Sequence, residues 1–184
     1  SVYLRNPRQI SIAQNFLYAA GNGGMVTYNI SGATPSQVSC PFSGNLSSYG
    51  RYYGQTPDYK RENFYVQYYR YLYRFTIGSN GCINTNWSSR INVGWWYYSY
   101  GMDHHPSNEF ILYGNDWTNH RVTKLTLNSS RNSTDSIKNV GRYGRTASKT
   151  GNVRMYYAWG ITVDKVNNRV LSANYHKPVS YTHL

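Results

Sequence analysis

Tyr97-Tyr98-Ser99-Tyr100-Gly101-Met102 returns fifty-nine positions later as Tyr156-Tyr157-Ala158-Trp159-Gly160-Ile161. In the same ungapped register Asn108 meets Asn167, Ile111-Leu112 meets Val170-Leu171, Asn115 meets Asn174, and Thr123 and Leu125 meet Thr182 and Leu184. A repeat of this period marks a supersecondary unit that cannot bury its apolar face alone and stacks on copies of itself.

Working outward, the unit reads as a β-meander. Ile10 to Ala13 alternates with period two, Gln14-Asn15 turns, and Phe16 to Ala20 runs as a buried strand. Gly21-Asn22-Gly23-Gly24 turns again before a third strand from Met25 to Ile30. The same pattern fits Met102 to His105, Glu109 to Asn115 and Arg121 to Leu127, and again Ile161 to Asp164, Arg169 to Asn174 and Val179 to Leu184. A weaker fourth copy is laid on Phe64 to Gln67, Tyr71 to Ile77 and Cys82 to Thr85. Units are therefore expected at about 5–50, 60–95, 96–150 and 151–184, with Ser136 to Val140 as an outer fourth strand. No stretch sustains a helical period, so the expectation is all-β in a single domain over 1–184.

Gly160-Ile161-Thr162-Val163-Asp164 followed by Asn168-Arg169-Val170-Leu171-Ser172-Ala173-Asn174 resembles the first two strands of NHL-type β-propeller blades. Asn119-His120-Arg121-Val122 is similar to the signature for which that repeat is named. Asn15 to Gly21 with Val26 to Ser31 looks closer to LVIVD-type and lactonase-like propeller repeats. The resemblance implies a propeller of about four antiparallel meander blades, either a four-bladed ring or a piece of a larger one. Val2-Tyr3-Leu4 is a candidate for closing such a ring. Two departures stand out: Asp103-His104-His105 replaces the small-apolar-Asp ending of an innermost strand, and the weak copy lacks both Gly and Asp. The chain starts at Ser1 rather than Met, and Pro178 to Leu184 is also what one frame of a sequencing-library adapter encodes; on that reading the natural chain departs after Lys177.

Composition narrows the function. Twenty-one Tyr suit strands whose rings stay half exposed without loss of solubility. A net charge of +12, from 19 Lys and Arg against 7 acidic residues, argues for anionic surroundings, although the cations are dispersed over the surface. No nucleic-acid-binding module accompanies them, so nucleic acid is the least favoured partner. No apolar run reaches the ~20 residues of a membrane span. Cys40 and Cys82 either form one disulfide, which fits export, or remain two buried thiols. Asn29, Asn45, Asn86, Asn128 and Asn132 open N-glycosylation sequons.

The resemblance implies that one face of the ring is built by the segments leading into the innermost strands and by the loops joining second to third strands. Tyr97, Tyr98, Tyr100, Trp117, Asn119, His120, Tyr156, Tyr157, Trp159, Tyr175 and His176 are expected there. Aromatic rings beside Asn and His suit a sugar, whose apolar face stacks on rings while amides take its hydroxyls. The competing use of the paired tyrosines is packing between blades; Trp117 and Tyr175, in loops, are the better binding candidates. Asp103-His104-His105 with His120 is the densest metal-like group, yet strand alternation turns His104 away from Asp103 and His105. Lactonase-like propellers hold a divalent ion in the channel, which by resemblance recruits Asp103, Asn115, Asp164 and Asn174. No nucleophile elbow, phosphate loop or Cys-X-X-Cys motif is present in the sequence.

The leading expectation is a non-enzymatic extracellular or cell-surface propeller module that needs no cofactor and binds a protein or an anionic glycan, with self-association compatible. It would suit a subunit of a larger extracellular assembly. The rival is a metal-dependent lactonase-like hydrolase with a divalent cation in its channel.

Overall fold

Short alternating stretches broken by Gly, Asn and Ser give strand after strand, and no helix occurs among the described residues. The computed structural model describes residues 5–22, 24–40, 54–84, 86–94, 99–140, 142–143, 154–155, 158–167, 169–174 and 179–182. β1 (Arg5–Ala13), β2 (Phe16–Asn22), β3 (Gly24–Asn29) and β4 (Ser36–Val38) form the first antiparallel meander. β5 (Gly54–Pro57), β6 (Asn63–Tyr68), β7 (Tyr71–Thr76) and β8 (Ser89–Asn92) form the second. β9 (Met102–His104), β10 (Ile111–Asp116), β11 (Arg121–Leu127) and β12 (Thr134–Val140) form the third, with β12 as the expected outer strand. After a short parallel pair, β13 (Arg142–Tyr143) with β14 (Arg154–Met155), comes the fourth: β15 (Ala158–Asp164), β16 (Arg169–Asn174) and β17 (Val179–Thr182).

The four sheets stand face to face as blades, with β1, β5, β9 and β15 packed side by side in chain order at the inner edge. Apolar side chains from facing sheets fill the gaps. Ala13, Tyr18, Ala20 and Met25 meet Phe64, Val66, Tyr73 and Phe75 between the first and second blades. Tyr65, Leu72 and Ile91 meet Met102, Leu112 and Leu125 between the second and third. Tyr113 and Val122 meet Val163 and Val170 between the third and fourth. Each large side chain so buried contributes about 1.5–3 kcal/mol. A middle blade is covered on both faces, so β6 is buried from Asn63 through Gln67 and shows little alternation. The architecture is an all-β, propeller-like stack of antiparallel meanders.

Three expectations need correction. In the second blade, Phe64 to Gln67 belongs to the second strand; the innermost strand is β5, so the blade begins at Gly54 rather than near residue 60. Its Pro57 disguises it as a loop, but an innermost strand is a sheet edge, where a missing N–H is tolerated. Of Cys82 to Thr85, the described residues Cys82 to Asn84 form no strand: Ile83 makes an isolated bridge to Ile77, and β8 supplies the outer edge. The ungapped repeat also slips. Gly101 and Gly160 occupy equivalent places, but His104 pairs with Leu112 whereas Val163 pairs with Val170, because the β9–β10 connection is one residue longer than the β15–β16 turn. Val2 to Leu4 lies outside the described residues.

Glycines let the inner strands converge. A Cβ on Gly54 would stand 2.7 Å from Met102 Cγ, and one on Gly101 would stand 2.9 Å from Ile161 N, so each admits the innermost strand of the following blade. Cys40, just after β4, and Cys82, between β7 and β8, form a disulfide that ties the first two blades together. No helix of the described residues is long and apolar enough to cross a membrane. The disulfide fits an oxidising compartment.

Candidate functional site

The residues leading into β9 are held from two sides by buried amides. Ser99 N–H donates to Gln67 Oε1 of the second blade at 3.1 Å. Gly101 N–H donates to Asn115 Oδ1 at 3.0 Å, and the Ser99 hydroxyl lies 2.7 Å from Gly101 O and 3.1 Å from Asn115 Oδ1. Gln67, Ser99 and Asn115 are fully buried, so these bonds form away from water. Tyr100, between the two anchored residues, is thereby fixed. Its ring lies 5.0 Å from that of Trp159 at a 30° tilt and 5.9 Å, edge-on, from that of Trp117. Trp159 stays 44% exposed. The structure thus brings Tyr100, Trp117 and Trp159 into one aromatic platform shared by the third and fourth blades.

Trp117 owes its place to the β10–β11 turn. Asp116, at the end of β10, accepts Asn119 N–H at 3.1 Å, Asn119 Nδ2 at 2.8 Å and Arg121 Nε at 3.0 Å. His120 is buried with φ 53°, a left-handed turn conformation. Burial lowers its pKa, partly offset by Asp116. Asn119 and His120, expected as binding residues, thus build the turn that presents Trp117.

Tyr100 and Trp159 lie on the wall of a central cavity of about 830 Å³ bordered by all four inner strands. Gln9 crosses the top of β5: its Oε1 accepts Gln55 N–H at 2.9 Å and Met102 N–H at 3.2 Å, while its Nε2 donates to Met102 O at 2.6 Å. Lys165, in the β15–β16 turn, also borders the cavity, and its Nζ lies 3.0 Å from His104 Nε2. Lys Nζ only donates, so Nε2 accepts and Nδ1 carries the ring proton, 3.3 Å from both Thr56 Oγ1 and Asp103 Oδ1. Burial brings the His104 pKa down to about 4, with Lys165 adding to the shift and Asp103 opposing it. The imidazole is therefore neutral.

Of the channel-ion residues, Asp103, Asn115 and Asp164 are engaged in hydrogen bonds within the fold. Asp103 Oδ1 accepts His104 N–H at 2.8 Å, and its Oδ2 accepts Val163 N–H at 2.8 Å and Thr162 Oγ1–H at 3.1 Å. Asp164 Oδ1 accepts the N–H groups of Val166 and Asn167, and its Oδ2 accepts Asn167 Nδ2, which holds its carboxyl below the usual range. Asn115 is committed to Ser99 and Gly101, and Asn174 pairs through its backbone with Ala158. Carboxylates already surrounded by N–H donors do not fit a divalent ion. Among the described residues no three His, Cys, Asp or Glu side chains gather as a metal site.

Tyr98, Tyr157, Tyr175, His176 and Asn45 lie outside the described residues. Of the other sequons, Asn86 and Asn132 are exposed, Asn29 Oδ1 accepts Ser31 N–H, and Asn128 Nδ2 donates to Asn132 Oδ1 at 2.8 Å. Gln9, Gln67 and Lys165 escaped the sequence reading. The two glutamines carried one signal, an uncharged amide at a strand position otherwise reserved for apolar residues.

No family model matches the chain, and no curated protein matches it. Solved structures do. The glutaminyl cyclase of Myxococcus xanthus aligns with a TM-score of 0.58 at 15% identity, over 94% of this chain and 69% of that one. The hydrazine synthase of Kuenenia stuttgartiensis aligns at 0.55 and 9% identity, over 94% of this chain and 43% of that one. AztD of Citrobacter koseri aligns at 0.54 and 9% identity, over 98% of this chain and 48% of that one. The chain thus spans less than half the length of the last two. At these identities the likeness shows a shared propeller-like fold alone.

Proposed function

We propose that this chain is a non-enzymatic, exported propeller module that binds an anionic glycan on the Tyr100–Trp159–Trp117 platform at the cavity mouth. The observation that carries it is the Tyr100–Trp159 pair: two rings 5.0 Å apart, one anchored by buried amides and the other 44% exposed, beside a cavity. A pyranose presents one apolar face, and rigid rings receive it at little entropic cost. Lys165 on the cavity wall and the net charge of +12 favour acidic sugars. The NHL-type resemblance belongs to this reading, because the turn containing Asn119-His120-Arg121 is what sets Trp117 beside Tyr100. The lactonase-like alternative is weaker, since the oxygens of Asp103, Asn115 and Asp164 already accept hydrogen bonds within the fold.

The test is a tryptophan-fluorescence titration with a sulfated glycosaminoglycan hexasaccharide and, as control, a neutral cello-oligosaccharide. Quenching by the sulfated probe is expected, weakening with salt, with an affinity loss of about tenfold or more in Trp159→Ala. Equal binding by wild type and Trp159→Ala, or none by either at moderate salt, would refute the reading.

A further inference from the structure

Each described sequon lies in the same kind of connection. Asn29 ends β3 ahead of β4, Asn86 lies between β7 and β8, and Asn128 and Asn132 lie between β11 and β12. In three successive blades the motif therefore falls where the third strand turns into the outer one. Antiparallel pairing puts that turn at the end of the blade away from the aromatic platform. In the third blade, Asp116 pairs with Arg121 at the platform end and Leu127 with Thr134 at the other.

The three connections share one rim. Gly81, in the β7–β8 connection, lies against the ring of Phe16, the strand partner of Asn29. Arg74 Nη1 donates to Ser130 O at 3.1 Å and Ser89 Oγ donates to Arg131 O at 3.0 Å, so the second blade holds the β11–β12 turn. Asn22, Asn92, Asn115, Asn119 and Asn174, at the platform end, open no sequon. Within the rim the side chains divide. Asn128 Oδ1 accepts the N–H groups of Asn132 and Ser133 at 3.0 and 3.2 Å while its Nδ2 donates to Asn132 Oδ1, and the half-buried Asn29 accepts the N–H of its own sequon residue Ser31. Asn86 and Asn132 are exposed, and neither donates its Nδ2, the atom that would bear a sugar, to another described residue.

We infer that the chain is N-glycosylated at Asn86 and Asn132, on the rim opposite the platform. The donor is a polyprenyl-diphosphate-linked oligosaccharide of the secretory route. Its anomeric carbon forms a bond to Asn Nδ2 and breaks its bond to the diphosphate oxygen; polyprenyl diphosphate leaves, and the proton lost from Nδ2 balances its charge. The sequon then does what its position allows: a bulky, hydrated group occupies a surface turn, beside Trp87, which is 37% exposed, and the platform end stays bare. The inference takes export from the proposed function, and the Cys40–Cys82 disulfide fits the same route. It is independent of what the platform binds.

Secretion from cultured animal cells, behind a cleavable signal, tests it. Peptide N-glycosidase in heavy-oxygen water converts each glycosylated Asn to heavy Asp, and trypsin separates Asn128 from Asn132 at Arg131. Heavy Asp is expected at positions 86 and 132 with Asn29 and Asn128 unconverted, and Asn86→Gln and Asn132→Gln are each expected to remove one step of the gel-mobility shift. A secreted, disulfide-bonded chain with Asn86 and Asn132 unmodified overturns the inference and leaves export standing, as does one glycosylated chiefly at Asn29 or Asn128. A chain held inside the cells with both sites glycosylated supports the inference and counts against export alone.

Discussion

Val163 N–H donates to Asp103 Oδ2 at 2.8 Å, so a carboxylate of the third blade holds the innermost strand of the fourth. The same oxygen accepts the Thr162 hydroxyl. Blades packed through apolar faces can slide; a charge-assisted bond to a backbone N–H at the seam sets their register. Asp103→Ala leaves the Val163 N–H without that acceptor and is expected to lower unfolding free energy by about 1–3 kcal/mol in urea. Asp103→Asn keeps an acceptor and should lose less. A calcium titration that raised the unfolding midpoint of the parent, but not of Asp103→Asn, would instead return Asp103 to the role of metal ligand.

His104 makes stability depend on pH with a definite sign. Its folded pKa, about 4, lies below the ordinary value of 6.5 chiefly because of burial. The unfolded chain therefore binds the proton first, and stability falls as pH drops from about 6.5 towards 4, by up to about 1.4 kcal/mol per pH unit from this group. His105 and His120 are lowered too, also mainly by burial, and add in the same direction. Urea midpoints from pH 7 to pH 4 should fall less steeply in His104→Gln than in the parent. Superimposable profiles would show that His104 titrates normally.

Gly101 and Gly160 look interchangeable in the sequence repeat but differ in surroundings. A Cβ at 101 meets backbone at 2.9 Å, and backbone cannot rotate aside; at 160 the nearest atom is a methyl carbon at 3.7 Å. Gly101→Ala is expected to cost about 1–3 kcal/mol through overpacking. Gly160→Ala should be near neutral for the stability of the single chain, since it also restricts the unfolded state. Equal losses in the two variants would mean that Gly101 is not set against the fourth blade.

The Cys40–Cys82 disulfide closes a loop of 42 residues between the first two blades. On the chain-entropy argument it is worth about 4 kcal/mol. Unfolding with and without a reductant, or of Cys40→Ala/Cys82→Ala, should show a loss of that order. An unchanged midpoint would mean that the Tyr18, Phe64 and Phe75 packing and the Gln9–Gln55 hydrogen bonds hold the two blades without help from the disulfide.

Much of this fold was legible, and the gaps have physical causes. Alternation identifies a strand only when one face is wet; β6, buried on both faces, reads as a plain aromatic run, and the second blade was framed one strand late. β5 is four residues long and contains Pro57, so it resembled a loop although Gly54-Gln55-Thr56-Pro57-Asp58 follows the pattern of Gly160-Ile161-Thr162-Val163-Asp164. The aromatic platform was half legible. Repeat position placed Tyr100 and Trp159 on one face, but the same spacing could not show which carboxylates had oxygens to spare. Asp103 and Asp164 have the right chemistry for a cation, but spacing cannot show that main-chain N–H groups, and for Asp164 also the Asn167 amide, already donate to their oxygens.

Gln67 offers the sharpest test of whether Tyr100 is positioned from a distance. It is fully buried in the second blade, and its Oε1 accepts Ser99 N–H at 3.1 Å, one residue before Tyr100. Gln67→Met keeps the volume and removes the acceptor. It should destabilise by about 1–3 kcal/mol and also weaken hexasaccharide binding, because Ser99, next to Tyr100, loses its anchor on the second blade. A merely destabilised but folded protein would bind normally, so affinity and stability separate the two roles. If the effect passes through the Tyr100 ring, Gln67→Met should cause no further affinity loss in a Tyr100→Ala background, and a double-mutant cycle would show a coupling about as large as the single effect. Additive losses would instead mean that Gln67 supports the cavity wall as a whole and that Tyr100 is held chiefly by Asn115.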